Sequence, residues 1–432
     1  MSRTIDPRRS GSHPFLLLLI VAAHTAMLLT VGLTAGFTPE VMKLGCYVLA
    51  ADFVGSIVLQ LVQRQACTVD FVLLLVLGIS TIYQSCFGGA VFAMKHYLFG
   101  LMAFVMCQLS YLLVRNPYRA ERLKPLWYVL FGILVLSILL FTGSRGIWID
   151  LGFITIQPSE FVKPVFVLIC ASSMHTQLQK KEWKGLHYVP DNLGMLICTG
   201  VIVCLQWWCR DLGSLPTFLA VAAFGLLLRL YYLREKWSVR FMVVFGICGA
   251  VLAVAALKFA PAYVQDRLNV DIWADMSGDG YQQCKALTAI AEGGWFGKGA
   301  GNGTLHTVAA ANTDIVFATI SEEWGLFSAL MAVILVLFLP AAVLTVPPRS
   351  YYHAGLAVGV AAVFMVQMTL NIFGSCNLIP FTGVTIPFLS QGGSSMLASG
   401  ILAGFLKAAQ APVLSSAERS RKKAQGGRMQ KA

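Results

Sequence analysis

The feature that most constrains this chain is a succession of apolar runs too long for a soluble core, at about 14–35, 45–62, 69–86, 97–114, 126–142, 159–175, 192–209, 212–232, 239–260, 314–345, 353–373 and 385–407. In lipid every backbone polar group must be satisfied internally, and a run of roughly 17 to 25 apolar residues does so as a helix. A membrane β-barrel would instead read as alternating segments of about ten residues. Composition agrees, with 57% hydrophobic and 12% charged residues against about 25% charged in a soluble domain. The expectation is an all-α polytopic membrane protein of about twelve transmembrane helices.

The net charge is +12, and its placement orients those helices. Arg3, Arg8 and Arg9 precede the first run; Arg115, Arg119, Arg122 and Lys124 follow the fourth; Lys180, Lys181 and Lys184 follow the sixth; Arg234, Lys236 and Arg240 follow the eighth. With the basic tail at 415–432 they share one face, which the positive-inside rule makes cytoplasmic. Both termini are then cytoplasmic. The basic tail reads as an anionic-lipid contact rather than a nucleic-acid one. The one long polar interruption, Pro261–Asn312, falls on the opposite face as a large extracytoplasmic loop. Eleven cysteines show no metal-ligand spacing. Cys86, Cys209, Cys284 and Cys376 near the outer face leave room for a disulfide.

Charged groups inside apolar runs are costly unless paired or wet, and so point to function or to specific packing. Glu160 and Lys163 stand three apart, on one helix face. Arg210 and Asp211 fill a short connection. Asp314 and Glu322 are eight residues apart, so that a helix starting near Asp314 stacks one over the other. His24 and Asp52 read as satisfied structural groups. The others describe either an outward polar cavity or separate ion pairs. Asn312, Thr313 and Asp314 are also good helix-capping residues. The segment Gly297-Lys298-Gly299-Ala300-Gly301-Asn302-Gly303 fits neither phosphate-loop spacing. Its successive N–H groups, with Lys298, could still cradle a pyrophosphate.

Four blocks in one order resemble the SEDS family (shape, elongation, division and sporulation). They are Arg145 through Trp148-Ile149 to Gln157-Pro158-Ser159-Glu160 and Lys163; Asp211-Leu212-Gly213; Gly280-Tyr281-Gln282 through Gly293–Gly299 and Thr313-Asp314 to Glu322-Glu323 and Gly325; and Pro387-Phe388-Leu389-Ser390-Gln391-Gly392-Gly393-Ser394-Ser395. The resemblance implies a ten-helix core at 69–410 preceded by two extra N-terminal helices at 14–62. Residues 1–13 and 415–432 then lie on the cytoplasmic side of a bacterial cytoplasmic membrane. It further implies a peptidoglycan glycosyltransferase that polymerises lipid II at the outer face beside a class B penicillin-binding protein.

In that frame Asp314 is the expected catalytic base of an inverting transfer. Arg145, Lys298, Arg210, Gln282, Ser394 and Ser395 are expected to bind substrate, and Glu160, Lys163, Asp211 and Glu322 to support the site. A divalent cation, Mg or Mn, is an optional aid to the pyrophosphate, and no nucleic acid is expected. The chain departs from the family pattern where Asn312 replaces His, Ile315 replaces Phe, Cys209-Arg210 replaces Gln-Pro, and Gln391 replaces Tyr. A lipid-precursor flippase and a non-catalytic scaffold for a transpeptidase are the competing readings.

Overall fold

The computed structural model describes residues 13–63, 68–141, 148–150, 155–174, 181–183, 186–188, 190–209, 211, 213–233, 272–274, 280–346, 348 and 350–410. The expected ninth span at 239–260, the basic tail, Arg145 and Arg210 lie outside them. Twelve helices are described: α1 (His13–Ala35), α2 (Pro39–Gln63), α3 (Thr68–Val114), α4 (Pro117–Arg122), α5 (Lys124–Phe141), α6 (Pro158–Ser172), α7 (Pro190–Trp208), α8 (Leu215–Leu233), α9 (Tyr281–Gly293), α10 (Val316–Leu344), α11 (Tyr351–Ser375) and α12 (Gly393–Gln410). Two short antiparallel hairpins pair β1 (Ile149–Asp150) with β2 (Thr155–Ile156) and β3 (Lys181–Trp183) with β4 (Leu186–Tyr188).

Among the described residues, six segments are long and apolar enough to cross a membrane: 15–35, 68–87, 92–114, 124–141, 316–344 and 351–375. The third and fourth expected spans form one interrupted element, α3, which turns at Gly89 with φ 75° and ψ 176°. Outward faces are apolar too. On α5, Ile133, Leu136, Leu139 and Leu140 are exposed while Trp127, Phe131 and Ile138 are buried. A continuous oily exterior of this kind is stable only against lipid.

At the centre, α6 is buried along nearly its whole length and packs on α5, α11 and α12. Helix α12 lies close along α3 because Gly400 and Gly404 face the Ala103 and Cys107 carbonyls, where a Cβ would collide. Small residues let helix backbones approach in this way. Ser110 Oγ then donates to the Ile401 carbonyl at 3.1 Å. Farther along the same seam the fully buried Lys407 meets Asp70 at 2.7 Å and Gln108, and lies over the Tyr111 ring.

Three expectations need correction. The last span does not begin at 385: residues 376–392 are non-helical, with positive φ at Asn377, Gly383 and Phe388, and α12 starts only at Gly393. Helix α10 starts at Val316, not at Asp314, and is itself broken at Gly325 (φ 85°, ψ 159°). The polar interruption is also not all loop, since it contains α9 and a 3-10 turn at Leu305–Thr307. Of the outward cysteines, Cys86, Cys284 and Cys376 are free thiols.

Candidate active site

Asp314 sits in a tight turn that feeds α10. Ala310, in the left-handed region at φ 62°, turns its carbonyl toward the chain that follows. That oxygen accepts the N–H groups of Thr313 at 3.1 Å and Asp314 at 2.9 Å, and the Thr313 hydroxyl at 3.2 Å. The cap of α10 is Ile315, which makes no side-chain capping bond. Among the described residues no N–H of the helix donates to the Asp314 carboxylate, so the capping alternative does not hold.

The turn is clamped from three directions. Asn371 of α11 donates to the Asp314 carbonyl at 2.8 Å and to the Val384 carbonyl at 2.7 Å. Ser390 Oγ donates to the Thr313 carbonyl at 2.6 Å, and the Gln391 N–H to that of Asn312 at 2.8 Å. Gln84 of α3 donates to the carbonyls of Leu389 and Asn312. Gly383, at φ 66°, borders the carboxylate itself: a Cβ there would stand 3.5 Å from Oδ2. Burial pushes the half-buried Asp314 carboxyl up to about 6, against a smaller opposing effect of the Thr313 hydroxyl. Desolvation disfavours the charged form, and such a shift poises a carboxylate for proton transfer near neutral pH.

A polar track continues from this turn along the non-helical segment. Thr385 and Ser395 share a hydroxyl contact of 2.7 Å, and the Gln157 N–H donates weakly to Ser394 Oγ at 3.4 Å. One turn on, Lys163 and Glu160 form a buried ion pair at 2.6 Å. Asp211 accepts from Ser214 Oγ at 3.0 Å; burial raises its carboxyl, while Ser214 and Lys163 oppose the rise. Gly213 beside it packs against the Thr382 carbonyl, one residue from Gly383. The non-helical segment thus links the Asp314 turn to Ser394 and Ser395, and through Gln157 and Gly213 to the elements that carry Glu160, Lys163 and Asp211.

Lys298 and Glu322 form a second cluster at the Gly325 break. The broken turn frees backbone groups, and the glycine-rich loop takes them up. The N–H groups of Lys298 and Gly299 donate to the carbonyls of Glu322 and Glu323, at 2.8 and 3.0 Å. Leu326 N–H in turn donates to the Gly294 carbonyl at 2.9 Å. The Glu322 side chain accepts from Lys298 Nζ (2.9 Å), Thr304 N–H (3.0 Å), the Thr304 hydroxyl (3.1 Å) and Leu305 N–H (2.9 Å). Glu323 accepts from Gly301 N–H at 2.8 Å.

Glu322 therefore does not stack beneath Asp314; it faces the loop. The loop amides expected to cradle a pyrophosphate are spent on protein oxygens. Lys298 also pairs with Glu292; that pair, then the one with Glu322, raises its ammonium pKa. A cleft of about 190 Å³ opens beside this cluster, bounded by Tyr281, Lys285, Thr288, Glu292 and Thr307. Gln282 donates to the Ala309 carbonyl at 3.1 Å, holding the approach to the Asp314 turn. Among the described residues no three His, Cys, Asp or Glu side chains gather as metal ligands.

Asn371, Gln84, Ser390 and Gly383 were not anticipated as site residues. Asn371 and Gln84 carried a usable signal, since each is an amide inside an apolar run, Asn371 in the same run as Gln367. Ser390 and Gly383 carried none, because their role depends on a non-helical path the hydropathy pattern does not show.

The fold and site define a polytopic α-helical membrane protein whose broken helices and non-helical segments surround the Asp314 carboxylate. The chain belongs to the FtsW/RodA/SpoVE family of cell cycle proteins, whose model matches residues 59–413. It is similar to the probable peptidoglycan glycosyltransferase FtsW of Alcanivorax borkumensis, 35% identical over 60% of this chain and 67% of that one. It is also similar to the peptidoglycan glycosyltransferase RodA of Mycobacterium tuberculosis, 32% identical over 61% of this chain and 57% of the relative's length. Among solved structures, a chain described under structural coordination of polymerization and crosslinking by a peptidoglycan synthase complex matches at TM-score 0.57. That match has 23% identity and covers 79% of this chain and 96% of the other. The rod shape determining protein RodA of Thermus thermophilus matches at TM-score 0.52 and 19% identity, over 81% and 97%. These structural likenesses concern the fold.

Proposed function

We propose that this chain is a peptidoglycan glycosyltransferase that polymerises lipid II at the outer face of the cytoplasmic membrane, with Asp314 as general base. The observation that carries the reading is the state of Asp314. Its backbone is fixed by α11 and the 376–392 segment, while its carboxylate is half-buried, raised toward neutrality and unused by the helix that follows. A carboxylate whose only task was structural would be expected to spend its lone pairs on backbone N–H groups, as Glu322 does.

In the proposed step an acceptor sugar hydroxyl gives its proton to Asp314 as its oxygen bonds to the anomeric carbon of the donor. The bond from that carbon to the pyrophosphate oxygen breaks, and the pyrophosphate leaves with the electron pair. Attack opposite the leaving group inverts the anomeric centre, and one base suffices where a hydrolase would use a carboxylate pair. Ser394, Ser395 and Gln282 hold the sugar and peptide. Arg145, Arg210 and Lys298 meet the pyrophosphate, Lys298 by exchanging the solvent-facing Glu292 for the anion. Both termini are cytoplasmic, and a class B penicillin-binding protein cross-links the product.

The test is polymerisation of lipid II by the purified chain with its transpeptidase partner, read as glycan ladders on a gel. Wild type should make polymer and Asp314→Ala none. Polymer from Asp314→Ala at the wild-type rate sinks the assignment.

A further inference from the structure

Helices α1 and α2 lie almost wholly before the residues matched by the family model, which begins at 59. They are not merely appended. Within the bundle, the buried His24 of α1 bonds Asp52 of α2 at 2.7 Å through Nδ1 and the Leu75 carbonyl of α3 at 3.1 Å through Nε2. Gly78 on α3 leaves the space this ring fills, since a Cβ there would overlap it. A buried polar group held from both neighbouring helices fixes the position of α1.

The far end of α1 reaches the glycine-rich loop. The Thr34 hydroxyl lies 2.9 Å from the Ala300 carbonyl and 2.9 Å from that of Thr30, so its one proton is shared between them. Val31, Ile82 and Ala300 form a small buried apolar cluster of their own, with Trp324 packed on it. The Ala35 methyl stands 3.0 Å from where a Cβ on Gly301 would be, and the Thr34 methyl 3.6 Å from one on Gly299. Gly299 and Gly301 hold φ of 101° and 79°. The tip of α1 therefore covers the part of the loop whose amides grip Glu323 and the broken turn of α10. That turn ends the short helical half that begins two residues after Asp314.

We propose that the α1–α2 hairpin positions the catalytic turn by pinning the glycine-rich loop, with Val31 and Thr34 as positioning residues. The mechanical chain runs from the α1 tip to Ala300, from the loop to Glu322 and Glu323, and from the first half of α10 to Asp314. The claim rests on the polymerase reading above. Without the pin, the loop opens more often and the half-helix bearing Asp314 loses its brace. The base is then misplaced for a larger fraction of the time, which lowers kcat with little change in KM.

The experiment compares wild type, Val31→Ala/Thr34→Val and Thr34→Ser in lipid nanodiscs. It reads hydrogen exchange of the 296–306 peptide together with lipid II polymerisation kinetics. The double variant should exchange that peptide about tenfold faster, the scale of one lost hydrogen bond with its packing. Its kcat should fall about threefold or more at nearly constant KM, and Thr34→Ser should stay within about twofold of wild type. A folded double variant whose loop exchange or kcat equals wild type overturns the positioning role while leaving the polymerase reading intact. Wild type that makes no polymer removes both.

Discussion

Asn371 Nδ2 lies 2.8 Å from the Asp314 carbonyl and 2.7 Å from the Val384 carbonyl, so a single amide ties the Asp314 turn to the non-helical segment beside it. Its position is set by α11, where Ser375 also bonds the Asn371 carbonyl at 2.8 Å. Replacing it by Leu keeps the bulk, removes both donors and leaves the Val384 carbonyl buried and unpaired, at a cost of about 1–3 kcal/mol, and frees the part-buried Asp314 carbonyl. Asn371→Leu should lower kcat about tenfold or more with a smaller change in KM. Steady-state polymerisation kinetics check this, and an unchanged kcat would separate Asn371 from the site.

Asp314→Asn should abolish polymerisation by a factor of about 10² to 10⁴, the usual contribution of a general base. It should not destabilise the protein. Burial makes the charged form of Asp314 unfavourable in the fold, and a neutral amide of the same shape escapes that penalty. The expected pairing is a dead enzyme with a melting temperature at pH 8 equal to or above wild type. A marked fall in melting temperature would instead make Asp314 a structural carboxylate.

The pH dependence follows from the same shift, from an ordinary value near 3.8 up to about 6. A base acts only when deprotonated, so the rate should rise through pH 6 and fall about tenfold per pH unit below it. For stability the sign is opposite. Between about pH 4 and 6 the folded state keeps a proton that the unfolded chain releases, so the contribution of this group is full below that window and is lost as pH rises through it. Initial rates from pH 5 to 8 should show the acidic limb near 6 in wild type, and a limb near 4 would mean the acting carboxylate is not desolvated.

The sequence made the membrane class legible because hydropathy and charge placement act over whole runs. It also made the Glu160–Lys163 pair legible, because an i, i+3 spacing fixes a helix face. What it hid are the departures from helix. Gly325 and Gly383 are ordinary small residues in a hydropathy trace, yet their φ values of 85° and 66° end one helical stretch and hold open a non-helical one. Because α10 begins only at Val316, Asp314 lies outside the helix and the eight-residue spacing to Glu322 no longer means a shared face. Glu322 is free to serve the loop, and the glycines expected to hold phosphate serve the broken helix instead.

Glu322 is the hub of that loop, with two backbone N–H groups, a hydroxyl and an ammonium on its two oxygens. Glu322→Ala removes every acceptor at once and strands the Thr304 and Leu305 N–H groups, at about 1–3 kcal/mol for each donor left unpaired. Lys298→Met should cost clearly less, because three donors to Glu322 remain and Lys298 is partly exposed. Denaturation in detergent, followed by fluorescence of the nearby Trp295 and Trp324, orders the two variants. The reverse order would show that the ammonium, not the loop amides, holds the break.

Glu160 and Lys163 offer a test of support against chemistry. Their side chains are only 9% and 2% exposed and meet at 2.6 Å. Removing either one strands the other charge among apolar neighbours, so Lys163→Met alone should destabilise by about 3–5 kcal/mol. Removing both lifts that penalty, and Glu160→Leu/Lys163→Met should recover most of the stability lost by the single variant. If the pair only braces α6 beneath Ser394 and Asp211, polymerisation should recover alongside stability. Lys163 also lies close enough to oppose the raised Asp211 carboxyl, so a modest residual loss of rate is expected through that carboxylate. A double variant that melts like wild type yet makes no polymer would place Lys163 against the substrate.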